Sequence, residues 1–453
     1  YRIESPEAPD AFKIGGQGGF LWRPYVGANP LYANGPLAVS ADGTHLEHRD
    51  GTPFFWLADT VWNGTQKAEL DDWQGFLVRR REQGFTMIQA VLAEWRTFFA
   101  GPDGEPSYYG RERIHLNPTF FRRQDQHVAA IAHAGLVPCL VLLWELTERD
   151  PGHYLPEADA IALARYLVAR YGAYRAVWFL GGDGRYQDPE RWKRIGRAVF
   201  GDNPDRGLAT LHPCGHNWVG ETYRNEPWFD FIGYQSSHAG DAKTQDWIQQ
   251  GPPHRHYAEP PAKPVINLEP CYEAHIGWAA KSEFTPLDVR RAMIASLLAS
   301  PTAGVTYGHH GIWPWTEQPE RAMDHFGAGI SIPWFEAVDA PGALSAGHIA
   351  AFFRQLAWWR LRPARSLLAE QPGADDPFKF VSASRTDDGR CVVVYLPAGG
   401  SIRLNLGDWR PERVRGFDPA AGAWCDAQLD GDVLRVEGAA AGDVDRLVVL
   451  QAS

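Results

Sequence analysis

Two carboxylates in the 453-residue sequence have the types and spacing that hydrolysis of a glycosidic bond requires. Asp183 ends the apolar run AVWFLGGD, and Glu269 ends the run KPVINLE. Such hydrolysis uses one carboxylic acid to protonate the leaving oxygen and one carboxylate to attack the anomeric carbon or to position water. The pair is 86 positions apart (269 minus 183), which corresponds to three strand-helix units of roughly 29 residues each. This spacing predicts that the two side chains approach each other across one mouth.

Polar and aromatic residues also stand where the other apolar runs end, and they are candidates for binding a sugar. Carboxylate, amide and imidazole groups bond sugar hydroxyls, while flat aromatic faces pack against sugar C–H faces. For each residue taken singly, helix capping, ion pairing or core packing is the alternative. The predicted substrate-binding residues are Asp59, Glu94, Trp144, His212, Gln235, His238, Tyr272, Tyr307, His309 and Trp313.

The elements that would position these residues form a regular series. Eight apolar runs alternate with helical patterns, although the link between the fifth and sixth runs is irregular. Continuous apolar runs are typical of parallel strands buried on both faces, so the series predicts an α/β fold, the (β/α)8 or TIM barrel. Active sites of this fold lie at the carboxyl ends of the strands. The runs are Pro53 to Asp59, Phe85 to Glu94, Leu136 to Glu145, Ala176 to Asp183, Leu208 to His212, Phe229 to His238, Lys263 to Glu269 and Ala303 to His310.

The rest of the chain predicts three further regions around the barrel, which itself spans residues 37–360. Residues 1–36 are rich in glycine, proline and aromatic residues without a period, and we interpret them as an irregular N-terminal arm. Residues 361–377 contain three prolines and are interpreted as a linker. Residues 378–453 hold short β-rich runs separated by turn signals, which predict a small C-terminal antiparallel β-sandwich.

The amino-acid composition narrows the classes of molecule that the protein is expected to bind. A net charge of −11 without a basic stripe argues against nucleic acid, and the lack of a run of 18 apolar residues argues against a membrane. Five cysteines without C-x-x-C spacing predict neither a disulfide framework nor a zinc site, and we expect no cofactor. Nineteen tryptophans favour a carbohydrate partner. Tyr1 is not an initiator methionine and no signal region is recognisable, so the location stays open, with a periplasmic or secreted protein favoured and a cytoplasmic one as the alternative.

Several of these motifs together resemble the apiosidase-like glycoside hydrolases. The resemblance rests on FFWLADTVWN (Phe54 to Asn63), FTMIQAVLAE, VWFLGGD, the His212-Pro213-x-Gly215 turn, Gln235-Ser236-x-His238 and KPVINLEPCYE. It implies a retaining mechanism in which Asp183 is the acid/base and Glu269 the nucleophile. It also favours a terminal furanose such as apiose, cleaved by an exo-acting enzyme from plant glycans or glycosides. Ala58 and Asn267 depart from the usual pattern without changing either carboxylate.

Other functions are consistent with part of the pattern. Arabinofuranose or galactofuranose could replace apiose, and the hydrolysis could invert the anomeric centre. A metal-dependent TIM-barrel hydrolase would use His212 and His238 as ligands, but the first strand lacks the H-x-H motif typical of such enzymes. A non-catalytic carbohydrate-binding protein would use both carboxylates only as sugar ligands.

Overall fold

The computed structural model describes residues 25–93, 105–110, 113–201, 203, 205–322, 325, 327–436 and 445–452. Its central sheet has eight parallel strands in the order β5-β4-β3-β2-β1-β8-β7-β6, which confirms the predicted TIM barrel. The strands, which are buried on both faces and therefore mostly apolar, are β1 (Trp56–Thr60), β2 (Met87–Val91), β3 (Val137–Trp144), β4 (Val177–Gly184), β5 (Ala209–Pro213), β6 (Ile232–Gln235), β7 (Val265–Glu269) and β8 (Gly304–Tyr307).

A helix follows each barrel strand and covers the sheet from outside. Local signals define where several of them begin: Asn117 caps the second helix by accepting from the Thr119 N–H, and Thr285 and Asp288 form a capping box on the seventh. No helix in the described part of the chain is long and apolar enough to cross a membrane. The helices are α1 (Leu70–Glu82), α2 (Pro118–His133), α3 (Glu157–Tyr171), α4 (Pro189–Phe200), α5 (Gly220–Tyr223), α6 (Ala242–Gln250), α7 (Pro286–Ala299) and α8 (Pro341–Arg354).

Shorter elements complete the barrel domain. Three antiparallel strands precede β1 and form a hairpin-like sheet at the start of the barrel. Single-turn helices lie in several loops. The strands are Leu37–Val39, Leu46–His48 and Pro53–Phe54, followed later by the pair Tyr108–Tyr109 and His115–Leu116, and the short helices are Pro30–Ala33, Gly64–Lys67, Pro151–Tyr154, Pro252–Arg255 and Trp334–Ala337.

The barrel has a seam between β5 and β6, at whose start the Asp230 N–H donates to the Ala209 carbonyl at 2.9 Å. The two strands are neighbours at the ends of the sheet order and are not paired by a backbone ladder. Thr210 fills the gap, since its hydroxyl donates to the Phe231 carbonyl at 2.6 Å and accepts from the Gly233 N–H at 3.2 Å. A side chain thus performs the role that backbone pairing performs between the other strands.

The C-terminal region is a two-sheet sandwich. Its larger sheet has the order β9-β10-β11-β17-β13-β14 and its smaller sheet the order β12-β16-β15. Aliphatic residues from both sheets, such as Val392, Ile402, Leu434 and Val448, form one core between them. The strands are β9 (Leu361–Pro363), β10 (Ser382–Thr386), β11 (Cys391–Leu396), β12 (Gly400–Arg403), β13 (Arg413–Asp418), β14 (Ala423–Cys425), β15 (Ala427–Asp430), β16 (Val433–Val436) and β17 (Arg446–Gln451).

The sandwich packs directly against the barrel, and the stretch between them is more ordered than a linker. β9 pairs with β10, while Arg365–Leu367 and Pro377–Lys379 are short 3-10 helices. The outer face of the larger sheet joins the same apolar cluster as α7 and α8. On α7, Arg290 donates to the buried carboxylate of Asp445 at 2.9 Å. The C-terminal sheet therefore begins at residue 361, within the stretch interpreted as a linker.

A buried ion pair joins the barrel wall to its helix layer. Arg80 on α1 donates through Nε to Asp59 Oδ2 on β1 at 2.6 Å, and both side chains are fully buried. We expect Arg80→Ala to lower the free energy of unfolding by about 3–5 kcal/mol, because it leaves the Asp59 charge buried without its partner. Urea denaturation measures this loss. The exposed neighbour Arg81→Ala is the control, and equal stability of the two variants would contradict the prediction.

Candidate active site

The candidate site is a cavity of about 360 Å³ at the carboxyl ends of the barrel strands. Seven of the residues predicted from the sequence line it together, including both carboxylates of the proposed pair. These seven are Trp144, Asp183, Gln235, His238, Glu269, Tyr272 and Trp313.

Glu269 ends β7, and two imidazole rings contact its carboxylate. His238 donates through Nε2 to Glu269 Oε1 at 2.7 Å, and its Nδ1 faces the Tyr272 N–H at 3.4 Å. The backbone donor at Nδ1 assigns the proton of the neutral ring to Nε2, where it meets the carboxylate. On the other side, His212 Nε2 lies 3.2 Å from Glu269 Oε2. The carboxylate is therefore held in a fixed orientation between two nitrogens.

These contacts also decide the charge of Glu269. Burial acts to raise the pKa of Glu269, but the contacts with His212 and His238 outweigh it and hold that pKa well below its usual range. Glu269 is consequently a carboxylate throughout the neutral and mildly acidic range. An ionised oxygen inside a cavity is a nucleophile or an electrostatic partner, not a proton donor.

The backbone of Glu269 is positioned by its neighbour two residues earlier. Asn267 Oδ1 accepts from the Glu269 N–H at 3.2 Å, while Asn267 Nδ2 donates to the hydroxyls of Ser236 and Ser296 at 3.0 Å each. The residue that departs from the family pattern thus ties the end of β7 to β6 and α7.

Asp183 lies at the end of β4 in an unusual backbone conformation. Its φ of 52° is in the left-handed region, which turns the chain sharply and directs the carboxylate toward the cavity. Gly182 makes room for its pairing partner on β3, since a Cβ at that position would come within 2.3 Å of the Trp144 ring. Gly184 is equally constrained by the ring of Tyr186. The glycines around Asp183 are therefore required for packing as well as for the turn.

Aromatic rings form two walls of the cavity. Trp62 and Trp144 meet edge to face on one wall, with ring centroids 5.3 Å apart. The other wall includes Trp313 and Tyr272, whose phenol has a pKa raised well above its usual range by burial and then by the charge of Glu269. The Tyr272 hydroxyl is buried beside Glu269, Thr60 and Trp62.

Three residues predicted to bind substrate have other partners and do not line the cavity. Asp59 is held by Arg80, as described above. Tyr307 donates to Glu273 Oε2 at 2.5 Å, and His309 Nδ1 accepts from the Gly311 N–H at 2.9 Å. The structure corrects their placement, because all three lie outside the cavity lining and contact other parts of the protein. His212 acts through Glu269 without lining the cavity, and Glu94 lies outside the described residues.

Other lining residues have no counterpart among the predicted ones. They lie in loops after the strands, whereas the prediction considered only the residues at the strand ends. Aromatic residues in a loop next to a predicted nucleophile are a signal that could have identified some of them. These residues are Trp62, Leu146, Arg185, Cys214, Gly215, Ser237, His275, Trp278 and His325.

The two histidines proposed as ligands in the metal-dependent alternative face Glu269. His238 Nε2 donates to one carboxylate oxygen, and His212 Nε2 lies 3.2 Å from the other. Within the part of the chain that the structure describes, no group of three or more histidine, cysteine, aspartate or glutamate side chains is arranged to hold a metal ion.

Comparisons with known proteins agree with the fold of the barrel domain. The family model described as "Apiosidase-like, catalytic domain" matches residues 40–360, well over half of the chain. A glycoside hydrolase family 5 structure from Bacteroides vulgatus superposes with a TM-score of 0.80 at 21% identity, covering 94% of this chain and 95% of that one. Another structure, described as a glycoside hydrolase, gives 0.80 at 22% identity over 94% and 98%. At these low sequence identities, the two superpositions show a shared fold. No curated protein matches the sequence.

Proposed function

Since this chain belongs to the apiosidase-like family and is a glycoside hydrolase, we propose that it removes a terminal furanose with retention of anomeric configuration. The observation that carries the proposal is the carboxylate of Glu269, held ionised by two histidines on a cavity wall shared with Asp183. An ionised group and a second carboxyl group in one cavity are the two components of double displacement.

In the first step, Glu269 attacks the anomeric carbon from one face of the sugar. The bond from that carbon to the leaving oxygen breaks, and the leaving oxygen takes the proton of Asp183. The product is a glycosyl ester of Glu269 together with the free alcohol. His238 supports this step because its Nε2–H orients the attacking carboxylate.

In the second step, Asp183 acts as a base. It takes a proton from water as the water oxygen attacks the anomeric carbon, and the ester bond to Glu269 breaks. Two inversions give net retention. Both carboxyl groups return to their starting protonation states, so the cycle needs no further reactant.

The size and lining of the cavity support exo action on one sugar unit. A cavity of about 360 Å³ is at the lower end of the range for small-molecule sites, and its aromatic walls offer flat faces to sugar C–H groups. The family description supports apiose as the furanose, with a plant glycan or glycoside as its source.

The test of this proposal is a panel of 4-nitrophenyl glycosides of apiofuranose, arabinofuranose, galactofuranose and common pyranoses. We expect release from a furanoside, and NMR of the first-formed sugar should show the anomeric configuration of the substrate. Release from pyranosides alone would contradict the furanose assignment. An inverted first product would contradict the retaining mechanism.

His238→Ala is expected to shift the acidic limb of the kcat/KM profile to higher pH. The His238 hydrogen bond stabilises the carboxylate of Glu269 and lowers its pKa, so loss of this donor raises that pKa. At the optimum we expect kcat/KM to fall by roughly 10- to 100-fold, as for a hydrogen bond to a charged group. His133→Ala, an exposed histidine at the end of α2, is the control. An unchanged acidic limb would contradict the assignment.

A further inference from the structure

The loop that follows β7 carries one cavity-lining tryptophan that differs from the rest. Trp62, Trp144 and Trp313 are at most 3% exposed, whereas Trp278 is 40% exposed. The first three are buried, and Trp62 and Trp144 contact the ring of His212 beside Glu269. Trp278 is at the solvent edge of the cavity, and no feature of the mechanism above uses it.

The backbone around Trp278 is fixed by hydrogen bonds at several points. The backbone N–H of Trp278 donates to the carbonyl of His238 at 2.8 Å. The backbone N–H of Gly277 donates to the carbonyl of Ser282 at 2.8 Å. Ile276 and Glu283 form an antiparallel bridge at the base of the loop. The loop is therefore a short hairpin anchored to the residue that holds Glu269.

The indole itself is also held in place. His275 packs against it edge to face, with ring centroids 4.9 Å apart and an interplanar angle of 87°. The ring of His325 lies 6.4 Å away on another side. At Gly327 a Cβ atom would approach the indole to 3.0 Å, so even a small side chain there crowds the ring. A large apolar surface is thus kept rigid where it meets solvent.

We propose that Trp278 is the stacking platform for the leaving group and that it selects leaving groups with a flat apolar face. The inference rests on the proposed exo action, which places the cleaved sugar in the buried part of the cavity and the leaving group at its edge. An immobile exposed indole binds an aromatic ring or a sugar C–H face without a large loss of side-chain entropy. Trp278 is therefore a specificity determinant outside the reacting atoms.

The test compares two substrates that carry the same sugar, one a 4-nitrophenyl glycoside and the other a glycosyl fluoride. Fluoride is a good leaving group that is too small to reach a platform. For Trp278→Ala we expect kcat/KM to fall about 10-fold on the aryl glycoside and to change less than about 2-fold on the fluoride. Most of the loss should appear in KM. Trp278→Phe should recover most of the aryl activity, because it restores an aromatic face.

The remaining outcomes show whether the role of Trp278 or the proposed function is wrong. Equal losses on both substrates would overturn the inference, because Trp278 would then support the fold or the sugar site. No loss on the aryl glycoside would overturn it as well. Phe335→Ala, which removes an exposed aromatic ring outside the cavity lining, is the control for a general surface effect. If the unmodified enzyme hydrolyses neither substrate for any sugar of the panel, the proposed function fails instead.

Discussion

Replacing Glu269 with alanine is expected to reduce kcat on the order of 10⁴- to 10⁶-fold while leaving the fold intact. The variant loses the atom that forms the covalent intermediate, and no other described carboxylate lies between His212 and His238 to replace it. The measurement is the steady-state rate on the best activated furanoside, with thermal unfolding as a check on folding. Glu269→Gln keeps the shape of the side chain and should be similarly inactive, which separates lost charge from lost volume.

Chemical rescue tests the assigned role of Glu269 as well as its importance. Azide can occupy the space left in Glu269→Ala and attack the anomeric carbon directly, which gives a glycosyl azide of inverted configuration. Recovery of at least 10-fold in rate with this product identifies the nucleophile. A variant that retains more than a tenth of the original activity, or an azide product of retained configuration, would contradict the assignment.

Replacing Asp183 with asparagine is expected to affect substrates according to their leaving groups. Loss of the proton donor should lower kcat/KM by about 10²- to 10⁴-fold for alkyl or sugar leaving groups and far less for fluoride, which leaves without protonation. With activated substrates the second step also lacks its base, so the glycosyl-enzyme should accumulate and produce a burst. Rapid-quench kinetics and intact mass of the protein measure both effects.

A half-buried carboxyl group close to Asp183, that of Glu145, provides the control. Glu145 follows β3 and contacts the Tyr186 N–H at 3.4 Å, and burial raises its pKa. If Asp183 is the acid, Asp183→Asn removes the basic limb of the pH profile and Glu145→Gln retains it. The opposite pattern would transfer the role to Glu145. Azide should yield a product of retained configuration in Asp183→Asn, because it reacts with the covalent intermediate.

The sequence predicts the barrel and its two carboxylates because parallel strands of a TIM barrel all end at one mouth. It does not predict which face of a strand each polar residue occupies. Leu57 packs toward the helices and Ala58 toward the barrel interior, so Asp59 points outward to Arg80. Both faces of these strands are apolar, and the alternation that would reveal this direction is absent from the sequence.

Glu269 is a second residue whose side-chain direction the sequence does not predict. Leu268 packs in the barrel interior and Glu269 lines the cavity, so two consecutive residues share one side. The pairing of β7 with β6 shifts register at this point, because Tyr234 pairs with Asn267 and the next residue, Gln235, pairs with Glu269. Strict alternation would turn Glu269 away from the mouth. Irregularities of this kind, like the loop position of Trp278, depend on tertiary contacts.

The carboxylate of Glu269 contacts residues on both sides of the seam between β5 and β6. His212 belongs to β5 and His238 follows β6, so the carboxylate spans the place where backbone pairing is missing. In the covalent intermediate that we propose, Glu269 becomes a neutral ester and its attraction for both rings weakens. The charge that draws both rings toward the end of β7 is therefore absent while the sugar is attached.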